Sequence, residues 1–282
     1  WAHAGLSGWI LDSDHKKMSK SKGNVVTPMG LLEKFGSDAV RYWAASARLG
    51  LDAAFDESQM KIGRRLAIKV LNASKFALTM GGEADLELDI THVVQPLDRS
   101  MLAALHEVVS SATTAMENYE HARALEITES FFWTFCDDYL ELVKERAYNR
   151  EGNWSDQASA SARAALAIAI DTFVRLLAPY LPFVTEEVWS WYREGSVHQA
   201  AWPTASDLEV TPDGTVEGAI EDASSVLLGV ASEALVVLRR VKSEAKVSPR
   251  TPFLEVTVSA PEQMIPLLEE VLEDLAAATK IQ

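Results

Sequence analysis

The sequence predicts a mainly α-helical chain, on three observations. Apolar residues recur at helical spacing over most of its length, and Pro and Gly fall where those periodic runs stop. Strand-like patterning is confined to two short stretches, at 9–11 and 253–259. With 282 residues, 48% of them hydrophobic, the chain exceeds one typical domain and has ample material for packed cores.

In order, Trp9-Ile10-Leu11 reads as a short strand ending in a turn at Asp12-Ser13-Asp14. A basic loop follows, with Lys16, Lys17, Lys20 and Lys22 in seven residues and no acid among them. Thr27-Pro28 opens a helix whose apolar face is Met29, Leu31, Leu32 and Phe35, closed by Gly36. Ser37-Asp38 is expected to cap the next helix, which carries Val40, Trp43, Ala44 and Ala47. Asp38 is assigned to that cap and Arg41 to a surface ion pair.

From Lys61 to Met80 there is no acid. At about 100° per residue, Ile62, Leu66, Val70, Ala73 and Ala77 share one arc. The opposite arc collects Lys61, Arg64, Arg65, Lys69, Asn72 and Lys75, with Ile68 and Phe76 among them. An aromatic ring among cations suits a base-stacking platform flanked by phosphate contacts. Packing of Phe76 beneath a neighbouring helix stays open as the alternative.

Gly81-Gly82 ends this helix, and 83–95 reads as an acidic connection. Four helices are drawn at about 96–118, 121–148, 155–178 and 182–193. The first has a core stripe of Leu102, Leu105, Val109, Ala112 and Met116. The second has Phe131, Phe132, Phe135, Tyr139, Leu142 and Val143. Pro179 stops the third of these and Pro182 starts the fourth. Residues 204–218 read as a linker, 219–246 as a helix, 253–259 as a strand and 261–277 as an amphipathic helix. Arg239, Arg240 and Lys242 form a basic helix end that either binds an RNA backbone or is simply solvated.

The formal net charge is −15, an unusual sign for a nucleic-acid binder, but its distribution is uneven. Fourteen of the 26 Lys and Arg lie in the windows 16–22, 61–75 and 239–250, together with one acid, Glu244. A positive strip on an acidic body tracks phosphates while the remainder discourages non-specific association. The apolar run Ala164–Ile170 is too short to cross a bilayer. No signal peptide is visible, and a chain that begins without Met suits a piece of a longer gene. A single cysteine, Cys136, forms no intrachain disulfide, fits a reducing cytosol and is expected to be buried and inert. The scattered histidines and lone cysteine offer no metal site.

The run Lys17-Met18-Ser19-Lys20-Ser21, followed by Lys22-Gly23-Asn24, is the signature loop of class I aminoacyl-tRNA synthetases, and the chain resembles that family. Phe35-Gly36-Ser37-Asp38-Ala39-Val40-Arg41-Tyr42-Trp43 is similar to the helix that joins its catalytic and tRNA-binding parts. Leu71-Asn72-Ala73-Ser74-Lys75-Phe76 is similar to the end of its helix against the anticodon stem and loop. The runs 178–189 and 196–203 resemble architectural signatures of its helical anticodon-binding domain. Arg48-Leu49-Gly50-Leu51-Asp52-Ala53-Ala54-Phe55 is most similar to the valyl members.

The resemblance implies a helical-bundle anticodon-binding domain, preceded by the tail of a Rossmann-type catalytic domain and followed by a small α/β module. The expected boundaries are 1–56, 57–205 and 206–282, with more chain beyond Gln282. It implies ATP-dependent activation of valine and its transfer to tRNA(Val), in a cytoplasmic monomer. ATP with Mg2+ enters as substrate, and no cofactor is held tightly. Lys17 and Lys20 are the expected catalytic pair, stabilising charge on the pyrophosphate leaving group. Lys17, Met18, Ser19, Lys20 and Ser21 form the expected ATP-binding loop, with Met18 as apolar anchor. Lys61, Arg64, Arg65, Lys69, Asn72, Lys75 and Phe76 are the expected tRNA contacts. A His-x-Gly-His motif is absent from the sequence, so this chain alone is expected not to form aminoacyl adenylate. Alternatives are an isoleucyl-type synthetase, a non-catalytic tRNA-binding module, and a helical interaction protein with no RNA partner.

Overall fold

The computed structural model describes residues 1–80, 88–208 and 223–281. Gly81-Gly82, the first five residues of the acidic connection at 83–95, most of the linker at 204–218 and the first residues of the helix drawn from 219 lie outside these. The chain is mainly helical, as expected. A short strand β1 (Ile10–Leu11) pairs in parallel with β2 (Ala53–Ala54), in register Ile10 with Ala53 and Leu11 with Ala54. The helices are α1 (Pro28–Phe35), α2 (Ser37–Ala45), α3 (Glu57–Thr79), α4 (Pro96–Glu117), α5 (His121–Thr134), α6 (Leu140–Tyr148), α7 (Asp156–Leu177), α8 (Pro182–Trp189), α9 (Ala223–Glu244), α10 (Ile265–Glu270) and α11 (Leu272–Thr279). They belong to two compact units. One comprises Trp1–Phe76, Val108–Ser130 and Asp171–Pro203; the other comprises Ala77–Glu107, Phe131–Ile170 and Thr204–Gln282.

In the first unit, Leu31, Phe35, Ala39 and Met60 form a buried cluster, with Val40, Trp43 and Phe55 packed against it. The α1–α2 corner therefore sits on the start of α3. The helices approach closely: a Cβ on Gly63 would lie 2.6 Å from the Tyr42 Cβ, so only glycine fits that crossing. Tyr42 is itself fixed, its hydroxyl donating to Glu129 at 2.6 Å. Asp56 stands before α3 and accepts the Ser58 backbone N–H at 2.7 Å, an N-cap bond that satisfies an otherwise orphaned donor.

Two local assignments are corrected here. The residue before α2 is Gly36, and Asp38 makes no cap bond to its own helix. Its carboxylate instead accepts the N–H groups of Phe183 (3.0 Å) and Val184 (2.8 Å), capping α8 from 145 residues away. Arg41 makes no surface ion pair; its Nε donates to the Pro179 carbonyl at 2.8 Å. Together they clamp α2 to the α7–α8 corner. Asp38→Ala is expected to lower stability by ~1 kcal/mol, as loss of a helix cap does, with Asp38→Asn retaining most of it; urea unfolding measures both.

The second unit holds the aromatic stripe. Phe132, Phe135 and Tyr139 are fully buried, with successive ring centroids 6.4 and 5.8 Å apart. The single helix drawn at 121–148 is interrupted by a π turn over Phe135–Tyr139. One residue more per turn keeps these rings in register on the core side, and the Asp137 carbonyl in that turn accepts from Arg239 at 2.7 Å. Cys136 is buried, as expected.

A polar network lies inside this unit. The Arg146 guanidinium is 1% exposed and donates to both oxygens of Asp98 at 2.8 Å, to Asp274 at 3.0 and 3.1 Å, and to the Ala158 carbonyl at 3.0 Å. Asp98 also accepts from Tyr139 (2.7 Å) and Ser161 (2.6 Å). The Ser161 hydroxyl oxygen accepts the Val94 and Gln95 N–H groups, so the network also fixes the entry to α4.

At 253–259 the expected strand is absent: Phe253 makes one parallel bridge to Ile281, and the following residues are irregular. An alternating segment becomes a strand only where a partner strand satisfies its backbone, and here only one residue finds one. The described part of this region is accordingly helical, with α11 packed on α6 and α9. Lys242 is not solvated. Its ammonium donates to the carbonyls of Pro249 (2.9 Å) and Thr279 (2.6 Å) and sits 4.6 Å from the centre of the Phe253 ring. Burial holds its pKa below the usual lysine range. Arg239, bonded to Asp137 and 3.5 Å from the Asp138 carboxylate, is likewise structural.

Candidate phosphate loop and nucleic-acid interface

The basic loop is held by two short polar side chains. Asp12 Oδ1 accepts the N–H groups of Asp14 (3.0 Å) and Lys16 (2.8 Å), closing the turn after β1. Its Oδ2 accepts from Asn24 Nδ2 at 2.7 Å. Asn24 Oδ1 in turn accepts the Ser19 N–H at 2.9 Å. The amide thus fastens the far end of the loop both to its beginning and to its middle. These bonds, chiefly that from Lys16 N–H and then that from Asn24, hold the Asp12 carboxyl below its ordinary pKa.

Between these fasteners Lys20–Lys22 makes a single 3-10 turn, closed by Gly23 at φ 68°. That left-handed angle is open to glycine at little cost. Asn24, the other residue suited to that conformation, does not adopt it and acts through its side chain instead. In the turn that leads into the loop, His15 takes the left-handed region at φ 59°.

Within the loop the five signature side chains differ. Lys20 and Ser21 are exposed; Met18 and Ser19 are half-buried. The hydroxyls of Ser19 and Ser21 lie 3.2 Å apart. Lys17 is also exposed, but its ammonium rests 3.8 Å from the centre of the Trp9 ring. Lys20 is thus presented outward while Lys17 is parked on an aromatic face, an attraction worth about 0.5–1 kcal/mol at an exposed position. Four lysine ammonium groups offer an anion both charge and donors.

The second candidate surface is α3. Its inward arc is as the periodicity requires: Leu66, Val70, Ala73 and Ala77 are buried and Ile62 is half-buried. On the opposite arc Lys61, Arg64, Arg65, Asn72 and Lys75 are exposed, and Lys69 and Phe76 are half-buried. The basic face therefore reaches solvent. Arg64 is steadied by donating from Nη1 to the Lys34 carbonyl at 3.0 Å. Lys34 pairs with Glu57 at 2.6 Å.

Sequence reasoning missed Asp12 and Asn24 as the loop's fasteners, although an Asp and an Asn bracketing a basic Gly-containing turn are a signal for such bonds. It also missed that Phe183, read as part of an architectural run, is 66% exposed. Among the described residues no group of three or more His, Cys, Asp or Glu is arranged to hold a metal ion. No helix among them is long and apolar enough to cross a membrane.

Comparison with known proteins gives three findings. Residues 98–258 match the family described as the anticodon-binding domain of tRNA ligase, and residues 3–56 match class I tRNA synthetases (I, L, M and V). The chain is 56% identical to the valine–tRNA ligase of Salinispora tropica over 99% of its own length and 33% of that protein. It is 57% identical to that of Thermobifida fusca, over all of this chain and 30% of that protein. The chain thus spans about a third of the length of these relatives. Among solved structures, it is similar to the ternary complex of Agrobacterium radiobacter K84 agnB2 LeuRS with tRNA and LeuAMS. The TM-score is 0.54 at 24% identity, over 71% of this chain and 24% of that one, a likeness of fold.

Proposed function

Because the chain belongs to the tRNA-ligase anticodon-binding family and carries a class I synthetase segment ahead of it, we propose that it is the loop-bearing and tRNA-docking part of a valine–tRNA ligase. The observation that carries the reading is the joint presence, in one unit, of a fastened lysine loop and a solvent-facing basic helix. In this reading residues 1–56 end the catalytic domain, 57–205 form the anticodon-binding domain, and 206–282 begin a C-terminal module.

ATP is the substrate at the loop. Lys17 and Lys20 lower the barrier to adenylate formation by meeting charge that develops on the leaving pyrophosphate. Met18 anchors the loop, and Ser19 and Ser21 bond phosphate or adenosine. Mg2+ accompanies the ATP phosphates. The acceptor is tRNA(Val), with Lys61, Arg64, Arg65, Lys69 and Lys75 on its phosphates and Asn72 and Phe76 beside them. We place this ligase in the cytoplasm as a monomer. The valyl assignment is supported by relatives 55–57% identical over essentially the whole chain.

The test is binding of valine and isoleucine tRNAs at 50 and 200 mM salt. If the basic arc neutralises about four phosphates, cognate affinity is expected to fall roughly 100-fold across that range, since the slope is about 0.9 per phosphate. Lys61→Ala with Arg65→Ala should flatten the slope by about two. Equal affinity for both tRNAs removes the valyl assignment; no binding at 50 mM removes the RNA reading.

A further inference from the structure

Beside the basic arc of α3 lies an open groove of about 280 Å³ to which the sequence drew no attention. Its walls come from three places in the first unit: the α1–α2 corner, the outer side of α3, and the first turn of α8. Phe183 and Ile68 line it and are 66% and 50% exposed. Two large apolar side chains are thus left largely in water at one groove, apolar surface that a partner would bury. Arg64 lines the groove too, its guanidinium positioned by the bond to the Lys34 carbonyl.

Charge decides what kind of occupant fits. Lys61 and Arg65 continue the positive surface along α3. Asp38 also lines the groove, and its oxygens and those of three nearby acids are turned to donors of the protein itself. Asp38 accepts two N–H groups of α8, Glu57 pairs with Lys34, Glu186 accepts from Ser196 and Val197, and Glu187 accepts from the Trp191 indole. A flat apolar wall with a fixed guanidinium at its side matches a group that is aromatic at one end and anionic at the other.

We propose that this groove takes one unstacked nucleotide of a bound RNA. The base lies on Phe183 with Ile68 beneath, and its phosphate meets Arg64. The proposal rests on the tRNA-docking reading above and adds a base-stacking site to it. Aromatic faces accept any base, so the site adds affinity with little sequence preference. It also differs physically from Phe76, which is half-buried, whereas the Phe183 ring is open to a partner. Because the Asp38 carboxylate fixes the backbone of Phe183 and Val184, the ring is presented from a rigid helix start.

The experiment compares tRNA(Val) binding by the chain and by three variants, Phe183→Ala, Phe183→Trp and Arg65→Ala, each over a salt series with thermal unfolding recorded alongside. Phe183→Ala should weaken binding about 5- to 100-fold with an unchanged salt slope, since it removes a stack and leaves every phosphate contact in place. Phe183→Trp should restore wild-type affinity to within about threefold. Arg65→Ala should reduce the slope by about one whatever Phe183 does. If Phe183→Ala binds within twofold of the parent while Arg65→Ala lowers the slope, the stacking site is wrong and the docking reading stands. If Phe183→Ala weakens binding and Phe183→Trp fails to restore it, a stacking role is likewise overturned. If the parent chain binds no tRNA at low salt, both fall.

Discussion

Asp98→Ala is expected to cost about 3–5 kcal/mol, the typical penalty for removing one partner of a buried ion pair, and so to unfold much of the second unit at ambient temperature. The size follows from what is stranded. Arg146 gives up two 2.8 Å bonds at a place closed to solvent, and Tyr139 and Ser161 are left without their acceptor. The Ser161 hydroxyl oxygen holds the Val94 and Gln95 N–H groups, so the entry to α4 loosens as well. Urea unfolding should show a large drop in midpoint; a shift equivalent to under 1 kcal/mol would mean the network contributes little.

Asp274 should behave differently. It shares the same guanidinium at 3.0 and 3.1 Å, with Asp98 already there, and burial outweighs the attraction of Arg146. Its pKa is pushed up to about 6 from 3.8. A carboxyl raised on folding contributes stability that is full below pH 3.8 and is lost as pH rises through about 6. Asparagine mimics the protonated form. Asp274→Asn, which has no proton to lose, should therefore gain in stability relative to the parent as pH rises from 4 to 7. A variant whose difference from the parent does not change between those pH values excludes this account.

The other large effect is expected at the loop. In a full-length ligase containing this chain, Lys20→Ala should lower valine-dependent ATP–pyrophosphate exchange by about 100- to 1000-fold in kcat, the scale for losing one preorganised group that meets transition-state charge. The KM for ATP should change much less, and tRNA affinity not at all. Lys17→Ala should cost less, because its ammonium must first leave the Trp9 ring. An ATP KM that rises as steeply as kcat falls would make Lys20 a ground-state binder instead. Stopped-flow measurement of adenylate formation separates the two.

Much of this was legible in the sequence because it depends on local rules. The lysine loop stands in consecutive residues, and helix starts follow Pro28, Pro96 and Pro182. The two faces of α3 follow from spacing alone. What was not legible depends on contacts between distant residues. Asp38 looks like a cap for its own helix, since nothing near it in the chain reveals the N–H groups of Phe183 and Val184. Lys242 looks like a solvated charge until two carbonyls and an aromatic ring close round it. The strand at 253–259 failed for the same reason, since alternation specifies a strand only when a neighbour is there to pair.

The order of residues by itself determined the helical architecture, the clustering of lysines in the loop and the positive arc of α3, since periodicity and charge spacing act over a few residues. Folding in three dimensions decided which acids remained available to oppose those cations and which carboxylates were sealed in with Arg146. It also decided which rings stayed in water, placing Phe183 outside and leaving Phe76 half-covered. Desolvation and pairing depend on the whole surround of a side chain, and that surround comes from segments far apart along the chain.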